Sequence, residues 1–426
     1  MRGPGVPVEL VGTGSSQVTS WTRVAADHPL GLHTLPYGVF TTAVQSQPRI
    51  GVAVGDVILD LTTATTAALP ECAALFRSGS LDALLAAGRQ TWTTVRDTLT
   101  RWLTDDRHAE ALAPLLLPAA DVTMQLPFSV ADYVDFYACE QHAANVGRIF
   151  RPGQPPLPAN WRHLPVGYHG RAGTVVVSGT PVTRPSGQRR LPEGTVTFGP
   201  STALDFEAEI GFVIGTPSAL GRPVPLTDFT DHVFGMCLVN DWSARDIQFW
   251  EYVPLGPLLG KSFATSISPW VVPLDALDTA RIQPPMRDPH PLPYLDDTGT
   301  EPWGLQITLE VWLNGQLVSR PPFAGMYWTA PQQLANLTSN GACLRTGDLF
   351  ASGTVSGAAP DERGSLLELS WNGSAPLTLA DGSTRSFLAD GDEVSITATA
   401  PGPEGTTIGL GEVCGRISPA LIEEAP

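Results

Sequence analysis

The sequence predicts a mainly β protein of two domains, a small one followed by a large one. Three observations carry this. The chain has 426 residues, which is long for a single hydrophobic core. Its 42 glycines and 40 prolines are scattered without a period, which suits many turns and disfavours collagen or simple disorder. Short apolar runs bounded by such residues recur through the second half, whereas helical spacing is confined to a few stretches.

From Gly38 to Thr63 the run GVFTTAVQSQPRIGVAVGDVILDLTT alternates apolar and polar residues, predicting short strands with a turn at Gly55 and Asp56. From Thr66 to about Ala120 alanine and leucine dominate. SLDALLAAGRQTWTTVRDTLTRWL has helical spacing, so helices that pack on a neighbour are expected. LPAADVTMQLPFSV, ending at Val130, reads as a linker, and the domains are set at residues 1–117 and 118–426. Asp132 is placed to cap a helix through YVDFYACEQHAANV, with Asp135 three positions inside and Gly147 at its end. ALDFEAEIGFVIG reads as a strand, and HVFGMCLVND as another that feeds a short helix, SARDIQFWEY. LQITLEVWLNGQLV, LFASGTVSG, SLLELSW and DEVSITATA read as further strands, and YWTAPQQLANLTSNG as a helix.

Charge and composition exclude several functions. With 25 basic and 42 acidic residues the net charge is −17, which repels phosphate backbones and makes nucleic acid a poor partner. No uncharged apolar stretch reaches the length of a membrane span. The start, MRGPGVPVELVG, has no charged region followed by an apolar run and a cleavage site, so no leader is expected. The five cysteines are isolated, which points to thiols in a reducing, cytoplasmic setting rather than a disulfide framework or zinc site. Lys261 is the only lysine; the other 24 basic residues are arginine. A compact ammonium is not interchangeable with a guanidinium fork at a reacting centre.

Glu207 and Glu209, two apart on a strand, point to one face. Two carboxylates within an apolar run call for a cation if they are buried, although a solvated strand face would carry the same spacing. Asp241 ends an apolar run before a helix, where it suits either a site or a simple cap. With Asp135 these make four carboxylates and no clustered Cys or His, favouring Mg²⁺ or Ca²⁺ over Zn²⁺. His142 lies seven residues after Asp135, two turns along one helix face, where a neutral imidazole suits deprotonation of water. Arg245 and Gln248 are three apart on the next helix, followed by Tyr252 and, after a loop with two prolines and two glycines, Lys261. Such donors suit a developing enolate, and they form a local positive pocket for a carboxylated substrate in an acidic protein. No glycine-rich phosphate loop occurs, and no organic cofactor is expected.

Several segments together carry a resemblance. They are DYVDFYACEQHAANVGRIFR, NWRHLPVGYHGRAGTVVVSGTPVTRPSGQ, LDFEAEIGFVIG and HVFGMCLVNDWSARDIQFWEYVPLGPLLGKSFATSISPWVVP, then GDLFASGTVSG, LLELSW and FLADGDEV. With LPYGVFTT and RIGVAVGDVILDL near the start, the whole chain resembles the fumarylacetoacetase family. The resemblance implies a small SH3-like N-terminal β domain with a helical extension, and a larger mixed β-roll domain that carries catalysis. It implies a homodimer with active sites near the subunit interface, and a Ca²⁺ or Mg²⁺ ion on Asp135, Glu207, Glu209 and Asp241. His142 matches the residue that activates water and Glu368 its carboxylate partner. Lys261, Gln248 and Arg245 match the residues around the substrate carbonyl and departing carbanion. Tyr137, Arg151, Tyr168, Tyr252 and Thr354 match substrate contacts, to which Arg245 and Gln248 also belong. Thr265, like Lys261, matches a neighbour of the metal site. Cys139 and Glu140 depart from the family's usual residues beside the histidine. The implied reaction is hydrolysis of a C–C bond in the diketo acid 4-fumarylacetoacetate, giving fumarate and acetoacetate, the last step of tyrosine and phenylalanine breakdown. The alternatives are a hydrolase or decarboxylase of another acylpyruvate or diketo acid, and a non-catalytic metabolite-binding homologue.

Overall fold

The computed structural model describes residues 20–25, 27–68 and 72–421; the N-terminal start, expected to carry no leader, lies outside them. The strands Tyr37–Thr42, Gln45–Val54 and Val57–Asp60 form an antiparallel meander, with the expected turn at Gly55 and Asp56. Gly55 has φ +67, and a Cβ there would stand 2.9 Å from the Val24 side chain, so the turn requires glycine. The helix Arg89–Thr104 starts after Gly88 and buries Trp92, Val95, Leu99, Trp102 and Leu103 along one side.

The segment expected as a linker is part of this sheet. Leu116–Pro118 pairs with Val57–Asp60, and Val122–Gln125 pairs with Tyr37–Thr42. Backbone donors and acceptors along the meander take these partners instead of water. Nor does the sheet stop at the small domain. Tyr37–Thr42 also pairs with Trp270–Pro273, through Tyr37↔Val271 and Gly38↔Trp270. From there the order runs through Val233–Asp241, Ala208–Ile214, Leu349–Ala351 and Tyr133–Phe136 to Gly167–His169. A second sheet orders Gln316–Ser319, Thr308–Leu313, Glu393–Pro401, Thr407–Ser418 and Val182–Thr183. The mainly β class predicted from turn density and alternation is the class found.

The central strands are buried on both faces. Ile210 and Phe212 join a core with Val311, Ile396 and Val413 of the second sheet. Val213, Cys237 and Val239 join a second core with Trp92, Val95 and Leu99 of the long helix. Such strands read as unbroken apolar runs because neither face meets water. Trp92 sits edge-on to Phe234 at 5.3 Å, which fastens the helical extension to the large domain.

Three local expectations are corrected. Asp135 is on a strand, Tyr133–Phe136, not inside a helix: the aromatic and β-branched run YVDF pairs on both sides, and the helix begins only at Glu140. Asp135 and His142 therefore do not share a helix face. SLLELSW forms a helical turn, Leu366–Leu369, capped by the Ser365 hydroxyl, rather than a strand. Gly147 does not end its helix, which runs to Phe150. It is there because the Pro156 carbonyl oxygen lies 1.8 Å from where a Cβ would be. Gly147→Ala is expected to lower stability by about 3 kcal/mol, since backbone would have to move on both sides. Urea denaturation measures this, and a midpoint equal to that of the parent protein would refute the close approach.

Candidate active site

Neighbouring strand ends bring the acidic residues together. Asp241 is the last residue of Val233–Asp241 and is in register with Thr265, the first of Thr265–Ile267. The next strand along, Ala208–Ile214, starts at that same end of the sheet; Glu209 is its second residue and Glu207 immediately precedes it. Asp135 pairs with Ala351 on one side and Tyr168 on the other. Rigid strands thus set the spacing of the carboxylates, and loops set little of it.

All four carboxylates are buried. Asp135, Glu207 and Asp241 each offer an oxygen within 4.8 Å of the others, a grouping able to hold a metal ion. Glu209 is not part of that closest grouping, but both its oxygens are buried without a hydrogen-bond partner, as is Asp135 Oδ1. Burial, and after it the facing carboxylates, push Asp135 and Glu209 well above the usual carboxyl range. Burial also opposes the charge on Glu207, yet Lys261 and Arg245 hold it below that range. Orphaned oxygens on an all-carboxylate donor set are what a hard divalent cation would satisfy, so these residues fit a divalent metal ion.

Lys261 is buried and its ammonium donates to Glu207 and to Asp241 Oδ2, the latter at 2.8 Å. Burial works against its charge, but Asp241 and Glu207 outweigh that and hold its pKa above the ordinary lysine value. Asp241 also accepts from the Tyr168 hydroxyl at 2.7 Å and from Thr265 at 2.9 Å. Arg245, at the start of the helix Arg245–Glu251, contacts Glu207 at 2.7 Å and donates to Gln248 at 3.2 Å. Arg245 and Gln248 therefore point together, as their spacing suggested.

His142 lies in the first turn of the helix Glu140–Phe150. Its Nδ1 is 2.6 Å from Glu368 Oε2, although the two residues are 226 apart in sequence. Glu368 also accepts from Asn145 at 2.9 Å and from the hydroxyls of Ser356 and Ser365, each at 2.9 Å. Burial opposes its charge, but His142, Asn145 and Ser365 hold it below the ordinary range. An ionised carboxylate only accepts, so Nδ1 is the nitrogen that donates to Glu368, and in a neutral imidazole that arrangement puts the lone pair on Nε2. Nε2 faces Glu207 at 3.8 Å, and the Tyr137 ring stands edge-on to the imidazole at 5.3 Å. Asn145, Ser356 and Ser365 were not singled out from sequence. Asn145 was within reach of spacing, three residues after His142 on one helix, whereas the serines meet Glu368 only through the fold.

A cavity of about 580 Å³ opens onto this cluster. Asp135, Tyr137, His142, Arg151, Tyr168, Glu207, Glu209, Arg245, Gln248, Tyr252, Lys261 and Thr354 all line it. Asp241 and Thr265 stand behind Lys261, and Glu368 behind His142. Cys139 and Glu140, the two departures from the family pattern, do not enter the cavity. Burial pushes the Cys139 thiol up to about 11, and its sulfur contacts the Ser356 backbone; Glu140 pairs with Arg162.

Comparisons with known proteins show what the chain as a whole is similar to. Residues 33–127 match the family profile described as Fumarylacetoacetase N-terminal, and residues 132–418 match Fumarylacetoacetate (FAA) hydrolase C-terminal. Fumarylacetoacetase of Homo sapiens is 46% identical over 421 residues, covering 95% of this chain and 99% of the relative. That of Oryza sativa subsp. japonica is 44% identical over 427 residues, covering 95% and 98%. Among solved structures, a fumarylacetoacetate hydrolase from Exiguobacterium antarcticum superposes with a TM-score of 0.52 at 18% identity, covering 91% of this chain and all of that one, which shows a shared fold. From the full-length likeness and the two family matches, the chain belongs to the fumarylacetoacetase family.

Proposed function

We propose that the protein hydrolyses 4-fumarylacetoacetate to fumarate and acetoacetate, the closing step of tyrosine and phenylalanine breakdown. The observation that carries this reading is a histidine held by a buried carboxylate beside a cavity that also exposes clustered acids, the cations Arg151, Arg245 and Lys261, and several hydroxyl or amide donors. Full-length likeness to named fumarylacetoacetases supports the choice of substrate.

A carbon leaving group departs only if its charge is delocalised, and cleavage of a 1,3-diketone meets that need by releasing an enolate. In our reading His142 Nε2 takes a proton from water, and Glu368 stabilises the imidazolium that results. The oxygen of that water attacks the carbonyl carbon of the fumaryl group itself. Collapse of the tetrahedral intermediate breaks the C–C bond and leaves fumarate, and the proton held by the His142 imidazolium is returned to the enolate carbon, which releases acetoacetate and restores the base. Lys261, Gln248 and Arg245 place donors against the negative charge as it develops. Tyr137, Arg151, Tyr168, Tyr252 and Thr354 hold the ends of the substrate. Asp135, Glu207, Glu209 and Asp241 would hold Mg²⁺ or Ca²⁺, with Thr265 steadying Asp241; the chemistry such an ion supplies is polarisation of the diketo oxygens.

We also infer a cytoplasmic homodimer. Two features support it: buried thiols at Cys139 and Cys237, and exposed Phe249, Val253, Leu255, Leu258 and Leu259 around the loop that borders the cavity. Sedimentation at micromolar concentration should give twice the mass of the chain, and a monomer would refute the pairing.

The purified protein is expected to cleave 4-fumarylacetoacetate, to lose turnover on chelation and to regain it with Mg²⁺ or Ca²⁺. His142→Ala should lower kcat by roughly 10²–10⁴-fold while calorimetry shows unimpaired divalent-ion binding. A near-parental rate in that variant would remove His142 from the role of base. Lys261→Arg should fold and bind metal yet lose rate on the order of 10²-fold, because a planar fork cannot replace a compact ammonium at one oxygen. Parental turnover in Lys261→Arg would make the single lysine a compositional accident.

A further inference from the structure

Asp205 is fully buried, does not line the active-site cavity, and has no part in the mechanism above. Its carboxylate is nonetheless saturated. Oδ1 accepts from the backbone amides of Phe206 at 2.8 Å and Leu366 at 2.7 Å. Oδ2 accepts from Arg245 Nε at 2.8 Å and from the backbone amide of Leu367 at 3.1 Å. One side of this group therefore grips the guanidinium that touches Glu207. The other grips the backbone immediately before Glu368, the partner of His142.

The surrounding backbone is arranged around the same point. Asp205 pairs with Ser243, two residues before Arg245. Glu207, two residues after Asp205, forms a bridge with Ser365, the cap of the turn that carries Glu368. The segment from Asp205 to Glu207 is thus clamped between the strand entering the Arg245 helix and the turn that presents Glu368. A burial this complete is costly for a carboxylate unless every lone pair is used. A simple core position would be filled more cheaply by an apolar side chain.

We propose that Asp205 is a positioning residue that fixes the Arg245 guanidinium and the Glu368 turn at one separation, so that the charge-stabilising and proton-accepting halves of the site stay in register. This deepens the proposed hydrolysis and rests on it for its kinetic consequence. Asn at this position is nearly isosteric, but its amide nitrogen cannot accept from both Arg245 and Leu367. Misplacement by about 1 Å is enough to cost on the order of 10²-fold in rate.

Two readouts on the full chain test it. In steady-state hydrolysis of 4-fumarylacetoacetate, Asp205→Asn should lose about 10²-fold in kcat with KM within about threefold of the parent. In the resting protein, the downfield proton resonance of the His142–Glu368 hydrogen bond, assigned by its loss in His142→Ala, should shift in Asp205→Asn. A resonance unchanged in folded Asp205→Asn overturns the proposal whatever the rate, and so does a shifted resonance with parental kcat. If Asp205→Asn does not fold, Leu366→Pro poses the same question. It removes one of the two amides that donate to Oδ1, at a first helical position where proline is tolerated, and exchanges the buried Leu366 side chain for a smaller apolar one; it should move both readouts in the same direction. Absence of turnover in the parent protein would sink the assigned reaction, while the resonance would still decide whether Asp205 ties the two halves together.

Discussion

A buried carboxylate among apolar strands costs several kcal/mol unless donors or a cation compensate it. This protein places Asp135, Glu207, Glu209 and Asp241 at one end of a sheet, with Asp205 on the short two-stranded ladder just before Glu207. Within that cluster the cations are Lys261 and Arg245. The remaining negative charge has to be met by protonation or by a bound cation, and the upward push on Asp135 and Glu209 is the sign of that unmet demand. Nearly everything else in the site follows from it. The single lysine is held in place by two acids, Tyr168 and Thr265 are aimed at Asp241, and the apolar cores on both faces of the sheet hold the strand ends at fixed spacing.

Glu368 belongs to a different electrostatic regime. Donors on both oxygens replace water completely, so its charge needs no metal. The protein thus keeps two kinds of buried acid within one cavity wall. One kind is under-satisfied and suited to gripping a cation, and the other is saturated and suited to orienting an imidazole. His142 stands between them, with Nδ1 toward the saturated acid and Nε2 toward Glu207. That division of labour requires no unusual side chain, only different numbers of neighbouring N–H and O–H groups.

Much of the fold was legible because side-chain period and turn residues report local geometry directly. The meander with its turn at Gly55 and Asp56, the helix Arg245–Glu251 and the shared face of Glu207 and Glu209 are of this kind. The errors arose where distant partners decided. YVDF follows a capping signal at Asp132, yet pairing with Leu349–Ala351 and Gly167–His169 makes it a strand. SLLELSW is too short for periodicity to separate strand from helix. The stretch around Val122–Gln125 looked passive because its partner lies some eighty residues earlier. The link between His142 and Glu368 could be expected only from family resemblance, and Asp205 was passed over because the amides it holds are 161 and 162 residues away.

The pairing of Tyr37–Thr42 with Trp270–Pro273 bears on how the chain can be divided. The N-terminal unit is the next strand of the catalytic sheet, not a module tethered beside it. Taking it away would bare a row of unpaired amides and carbonyls along Trp270–Pro273 and uncover Phe234, which Trp92 now shields. An open, apolar strand edge recruits other chains. The N-terminal unit therefore also covers that edge against indiscriminate strand pairing, and a fragment cut free of it would be adhesive before it was inactive.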